Sequence, residues 1–229
     1  MDSPDSRQPP ASWLRQAGQR LRYRCFTKMF GTLIAMSAFF ITYFHLLNNP
    51  RIKVTTVPTI FIDQWVVFMP WAVILYVSLW IYVLLVPAML LDTRVMRSYL
   101  WACVALSVVG FGIFLLWPTA VPRSSIAWSK HASIFYLKTV DASGNAFPSL
   151  HVAFAVFTAI WLSRMLRTMG AGGIARSLNW LWCLGIIYST MAIRQHVALD
   201  AISGAVLGGV AARIHLSILA SIRPPIAFP

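Results

Sequence analysis

The stretch WVVFMPWAVILYVSLWIYVLLVPAMLL, residues 65–91, runs for 27 positions without a charged side chain. About 20 residues of α-helix cross the roughly 30 Å hydrocarbon core of a bilayer. A run this long is therefore read as a membrane-spanning helix. Pro70 and Pro87 fall near its ends, where a missing backbone donor is tolerated better than at the centre. Working outward, further apolar runs occupy residues 29–47, 99–117, 147–165, 178–193 and 197–220. The first is too long for a signal-peptide core and lacks a small-residue cleavage site, so it is expected to be a retained anchor. The expected fold is all-α: a polytopic membrane protein with a six-transmembrane-helix bundle over residues 29–220. A basic cytoplasmic tail, 1–28, precedes the bundle, and a short cytoplasmic tail, 221–229, follows it.

Composition agrees. Charged residues make up 11% of the chain and hydrophobic ones 59%, with a mean hydropathy of +0.70. A soluble domain carries about 25% charged residues, so this chain cannot coat a water-facing surface. Its formal charge of +13 would mark a soluble protein as a nucleic-acid binder. Here the cations lie almost entirely between apolar runs, and membrane topology accounts for them; no nucleic-acid partner is expected. With the N-terminus in the cytoplasm, 13 of the 19 Lys and Arg fall on the cytoplasmic side. Both termini are thus expected to be cytoplasmic. Cys25, Cys103 and Cys183 show no CxxC spacing, which indicates neither a disulfide framework nor a zinc site.

The acidic residues point to chemistry. There is no Glu, and of six Asp only Asp200 lies inside an apolar run. A carboxylate in a membrane helix costs several kcal/mol unless it is paired, and marks a functional candidate. His196 stands four residues earlier, which on one helix face brings the side chains within about 6 Å. Such an aspartate holds one imidazole N–H, fixes the tautomer and raises the basicity of the other nitrogen. Taken alone, the pair fits a helix-packing contact equally well. A second cluster, DASGNAFPSLHVAF over 141–154, runs from a polar loop through Pro148 into a helix start. Ser149 and His151 are then at a helix N-terminus, where backbone N–H groups attract anions. The expected topology brings His151, Arg194 and His196 to one membrane face, an arrangement suited to a phosphate ester.

Pro148-Ser149-Leu150-His151, followed by His196-Val-Ala-Leu-Asp200, resembles the type 2 phosphatidic acid phosphatase (PAP2) superfamily. Its motifs run roughly PSGH and SRx5HxxxD. Leu in place of Gly is closer to the branch of inositol phosphorylceramide synthases and their bacterial relatives. The resemblance covers about residues 118–208. Two departures stand out. Thr190 occupies the position of the motif arginine six residues before His196, although Ser189 is kept. The Kx6RP motif is half present, since Arg123 has Leu116 seven residues before it.

The resemblance implies a metal-independent, cofactor-free lipid phosphatase acting through a phosphohistidine. His196 would be the nucleophile, Asp200 its orienting carboxylate and His151 the acid for the leaving oxygen. Arg123, Arg194, Ser149 and Lys138, with backbone N–H groups near residues 144–149, would bind phosphate. Transfer of a phospho-headgroup to a lipid alcohol is the nearest alternative. More distant ones are a Ser149 intramembrane protease, a metal site of His151, His196 and Asp200, and a non-enzymatic transporter. The partners expected are a phosphorylated lipid and membrane lipids, and the expected location is a bacterial inner membrane with the site at the outer face. His45 and His215 are read as interfacial residues, and Gly204, Gly208 and Gly209 as a small-residue face for close helix contact.

Overall fold

Local signals fix where each helix begins. The computed structural model describes residues 12–126, 128–140 and 144–222; Asp141, Arg223, the first 11 residues and the expected C-terminal tail beyond Ile222 lie outside them. Ser12 caps helix α1, Trp13–Arg22, by accepting from the Arg15 N–H. Tyr23 is extended and Arg24 left-handed, which breaks the chain before α2, Cys25–Asn48. The expected tail thus contains a helix, and the first long helix starts four residues earlier than expected. A short helix α3, Phe61–Trp65, follows strand β1, Thr55–Thr56.

The 65–91 run is not one helix. Trp65 closes α3, and Val66 and Met69 are extended, before a 3-10 turn over Pro70–Ala72 leads into α4, Val73–Met89. Pro70 disfavours the helical region for Met69, which is extended, and the helix is interrupted at this junction. Helix α5 spans Thr93–Leu116 and starts six residues earlier than hydropathy indicates. Asp92 caps it, accepting from Arg94 N–H at 2.6 Å and Val95 N–H at 3.4 Å. Strand β2, Thr119–Ala120, pairs in parallel with β1. Helices α6 (Ala132–Val140), α7 (Leu150–Thr168), α8 (Gly173–Ala192) and α9 (Ala198–Ile222) complete the described chain.

The fold is all-α in its framework, and among the described residues five helices are long and apolar enough to span a membrane: α2, the segment Pro70–Met89, α5, α7 and α9. Helix α8 has 20 residues but stands outside that set. Arg176, Asn179, Ser189 and Thr190 dilute its apolar character.

Helix α7 is the centre of the bundle. Two-thirds of its span is buried, against 6% for α2. Helix α9 lies directly on it. A Cβ on Gly204 would collide with the Ser149 carbonyl, and one on Gly208 with the Ala153 carbonyl. Backbone-to-backbone approach of this kind requires glycine at both positions. Gly209, expected to share that face, meets only an ordinary contact with Val156.

The polar residues of α8 are spent inside the bundle. Tyr82 of α4 donates to Asn179 Oδ1 at 2.6 Å, and Asn179 Nδ2 donates to the Ala159 carbonyl and to Ser163 Oγ of α7, both at 2.9 Å. Trp182 Nε1 donates to Ser78 Oγ of α4 at 2.8 Å. Asn179→Ala leaves buried partners of two helices unsatisfied, at a cost of about 1–3 kcal/mol. The expected outcome is a lowered thermal midpoint in detergent, with Asn179→Asp no better than the alanine variant, since a carboxylate cannot donate to the Ala159 carbonyl.

His215 departs from its interfacial expectation. It is buried, its Nε2 lies 2.8 Å from Ser98 Oγ, and its ring lies against Trp161 and Phe157. Helix α9 continues for seven residues beyond it, to Ile222, which holds His215 within the bundle.

Candidate active site

Three chain segments meet where α7 and α9 begin. The loop 144–149 is clamped from both sides: Ala146 N–H donates to the Thr119 carbonyl, Phe147 N–H to Thr119 Oγ1, and Ser149 N–H to the Asp200 carbonyl at 3.0 Å. The backbone donors expected to cradle phosphate in this loop are thus largely engaged. They fix the start of α7 against β2 and α9. Ser149 caps α7 by accepting from Val152 N–H, and it is completely buried. Its hydroxyl is a structural group here and is not presented as a protease nucleophile. The cap leaves the N–H groups of Leu150 and His151 without helical acceptors, and neither has another partner among the described residues.

His151 emerges in that first turn. Its Nε2 lies 2.6 Å from the Tyr76 hydroxyl of α4, with the two rings 4.7 Å apart at a 31° tilt. Trp80, one turn further along α4, packs edge-on at 5.6 Å. On the other side, the His151 and His196 rings are 5.7 Å apart. Residues 45 positions apart in sequence therefore share one site. Tyr76 was not legible as a site residue, because in a run as apolar as 65–91 a tyrosine reads as packing or an interfacial belt.

His196 and Asp200 meet differently from a pair on one helix face. Helix α9 starts at Ala198, so His196 lies in the connector before it. The connector turns sharply: Gln195 and His196 N–H both donate to the Thr190 carbonyl at 3.0 Å, and Arg194 is left-handed at φ 59°. Asp200 reaches back from the first turn of α9. Its Oδ2 accepts from Val197 N–H at 3.0 Å and lies 3.5 Å from His196 Nδ1. That is the carboxylate half of a capping box, with the histidine added to it. At 3.5 Å the two groups are within ion-pair range but form no hydrogen bond, and His196 Nδ1 has no hydrogen-bond partner among the described residues. His196 is 8% exposed and Asp200 0%, so little water competes for the contact.

Asp63 is a second carboxylate at this helix start, one that its sequence context placed in a loop. It is buried, accepts from Ala198 N–H at 2.8 Å and from Ile60 N–H at 2.8 Å, and so ties α3 to the start of α9. The signal lay in the missing cap of α9: Val197 has no side chain able to accept from the first turn, so a group elsewhere in the chain has to.

The basic candidates scatter. Lys138 of α6 donates to the Arg194 carbonyl at 2.7 Å and to Gln195 Oε1 at 3.0 Å, with Trp128 beneath its ammonium. Both bonds brace the connector between α8 and α9. Arg194 donates to the Val66 carbonyl at 2.9 Å, which fastens the connector to the extended segment before α4. Arg123 is exposed in the stretch between β2 and α6. Thr190, at the position of the motif arginine, is buried, and its hydroxyl donates to the Ile187 carbonyl. Among the described residues, no three His, Cys, Asp or Glu side chains converge as metal ligands.

The polytopic helical framework thus brings together two histidines from separate helix starts, one of them beside a buried aspartate. The model of the PAP2 superfamily matches residues 53–214, which include both histidines and Asp200 but leave out α1 and α2. The chain belongs to the PAP2 superfamily. That membership carries a phosphatase or phosphotransferase fold. No curated protein and no solved structure matches it.

Proposed function

We propose that this protein is an integral-membrane lipid phosphatase that hydrolyses a phosphate or diphosphate ester through a phosphohistidine, without a metal. The observation that carries the proposal is the pair of imidazoles 5.7 Å apart, one with a buried carboxylate at Nδ1 and the other with a phenol at Nε2. Two rings so placed flank one phosphorus atom, with opposite roles set by different neighbours.

In the first step His196 Nε2 attacks phosphorus, forming a P–N bond as the bond to the lipid oxygen breaks. Asp200 holds the Nδ1 proton and stabilises the imidazolium that develops. The leaving oxygen takes a proton from His151, whose ring Tyr76 orients. Water then attacks phosphorus, His151 accepts its proton, and the P–N bond breaks. The open N–H groups at the start of α7, with Lys138 and Arg194 on the connector, meet the charge of the equatorial oxygens. This takes the place of the arginine that Thr190 replaces.

Helix α8 is the sixth span in this reading. Its 20 residues give about 30 Å of helix, and its polar groups are paired to α4 and α7. The excess of Lys and Arg at the α4–α5 and α7–α8 turns puts those turns and both termini in the cytoplasm and the histidines at the outer face. An inner bacterial membrane fits the compact chain. Transfer to a lipid alcohol stays in view because Leu150 resembles the inositol phosphorylceramide synthase-like branch.

The test is phosphate release from purified protein given a panel of lipid phosphates and diphosphates, with chelator and with or without an alcohol acceptor. Release that persists with chelator is expected. A new phospholipid formed only with the acceptor would assign the transferase instead, and loss of turnover on chelation would refute the metal-free mechanism.

A further inference from the structure

A cavity of about 880 Å³ lies between α2, α4 and α5 and reaches His151, Tyr76 and Trp80 at one end. At the other end it reaches Arg24, Lys28 and Thr93. Along α2 it extends from Arg24 to Phe44, 20 residues or about 30 Å of helix. That is the full thickness of a bilayer core, twice the depth available to a chain confined to one leaflet. Its walls are almost wholly apolar, and the helix forming one of them is barely packed, with 6% of its span buried. Helix α2 lies outside residues 53–214, the part of the chain that matches the family.

We infer that this groove is the binding site for a single hydrocarbon chain longer than one leaflet, of the polyisoprenoid type. The inference rests on the phosphatase reading for its headgroup and adds the class of lipid. Three features select the occupant. The groove is continuous with the site, since His151 and Tyr76 line both. It runs the length of α2, whereas the chains of a diacyl lipid stop near the midplane. It also has room where a side chain is missing: a Cβ on Gly31, which lines the half remote from His151, meets nothing within 4 Å. Helix α2 also offers its outer face to the membrane, with Leu33 60% exposed and absent from the groove lining.

Gly31→Trp fills the remote half and leaves the site end untouched, while Leu33→Trp places the same bulk on the outer face. The substrates are a long polyprenyl phosphate and a short prenyl phosphate whose chain ends before Gly31. Gly31→Trp is expected to raise KM for the long substrate by at least about tenfold, with the short substrate and the Leu33→Trp protein within about twofold of the parent. Normal turnover of the short substrate shows that the variant is folded. Equal losses on both substrates, or none on either, would overturn the inference; so would full efficiency on diacylglycerol phosphate with poor use of the polyprenyl one. A long-chain phosphate carrying a diazirine at its tail gives a readout independent of turnover. Labelling of α2 around Gly31 supports the groove even if no phosphate is released, which would count against the phosphatase reading alone. Labelling confined to other helices would refute the groove.

Discussion

Replacing His196 with asparagine is expected to lower phosphate release by at least about a thousandfold, because losing a covalent nucleophile removes the pathway rather than one contact to it. Asparagine keeps a polar group of similar size in the connector, and the backbone bond from residue 196 to the Thr190 carbonyl does not depend on the side chain. The thermal midpoint should therefore stay near that of the parent. The same experiment has a covalent readout. Brief exposure of the parent to substrate labelled at phosphorus should leave acid-labile, base-stable label on the protein, as a P–N bond requires, and the asparagine variant should carry none. Asp200→Asn should fall between the two, since it keeps an acceptor near Val197 N–H but lacks the charge that supports an imidazolium. Label retained in His196→Asn, or turnover within tenfold of the parent, would remove His196 from the nucleophile's place.

What could be read in the sequence divides along a physical line. Long charge-free runs report burial in hydrocarbon directly, so the helical framework was legible from hydropathy alone. Helix ends were not, because caps and proline constraints set them: Asp92 starts α5 early, and Pro70 splits the longest run. Helix α8 shows the opposite limit. Its polar residues lower its hydropathy, and only the pairing of Asn179 with Tyr82 and Ser163 reveals what they satisfy. In the site, His151, His196 and Asp200 stood out because such residues are costly in an apolar run. Tyr76 and Asp63 did not. A tyrosine among aliphatics and an aspartate in a connector each have ordinary explanations until the third dimension places one on His151 and the other on α9. Ser149 shows a related ambiguity: a hydroxyl at a helix start serves an N-cap as readily as an anion, and in the structure it caps α7.

Removing His151 tests the other half of the mechanism, and its signature depends on the leaving group. His151→Asn is expected to slow hydrolysis of an alkyl lipid phosphate by about 10²–10⁴-fold, the usual contribution of a positioned general acid. An alkoxide departs poorly unless it is protonated as the P–O bond breaks. A nitrophenolate leaves without that help, so the same variant should lose less than about tenfold on an aryl phosphate in kcat/KM, which reports the step before His151 activates water. The structure supplies a graded control. The Tyr76 hydroxyl touches His151 Nε2 at 2.6 Å, while Trp80 and His196 flank the ring. Tyr76→Phe keeps the ring and takes the hydroxyl away from His151, so it should cost about tenfold on the alkyl substrate and almost nothing on the aryl one, with KM little changed. Equal losses in kcat/KM on both substrates in His151→Asn would mean that the imidazole binds or positions phosphate and gives the leaving oxygen no proton. In that case the phenol, not the histidine, would be the next group to test as the acid.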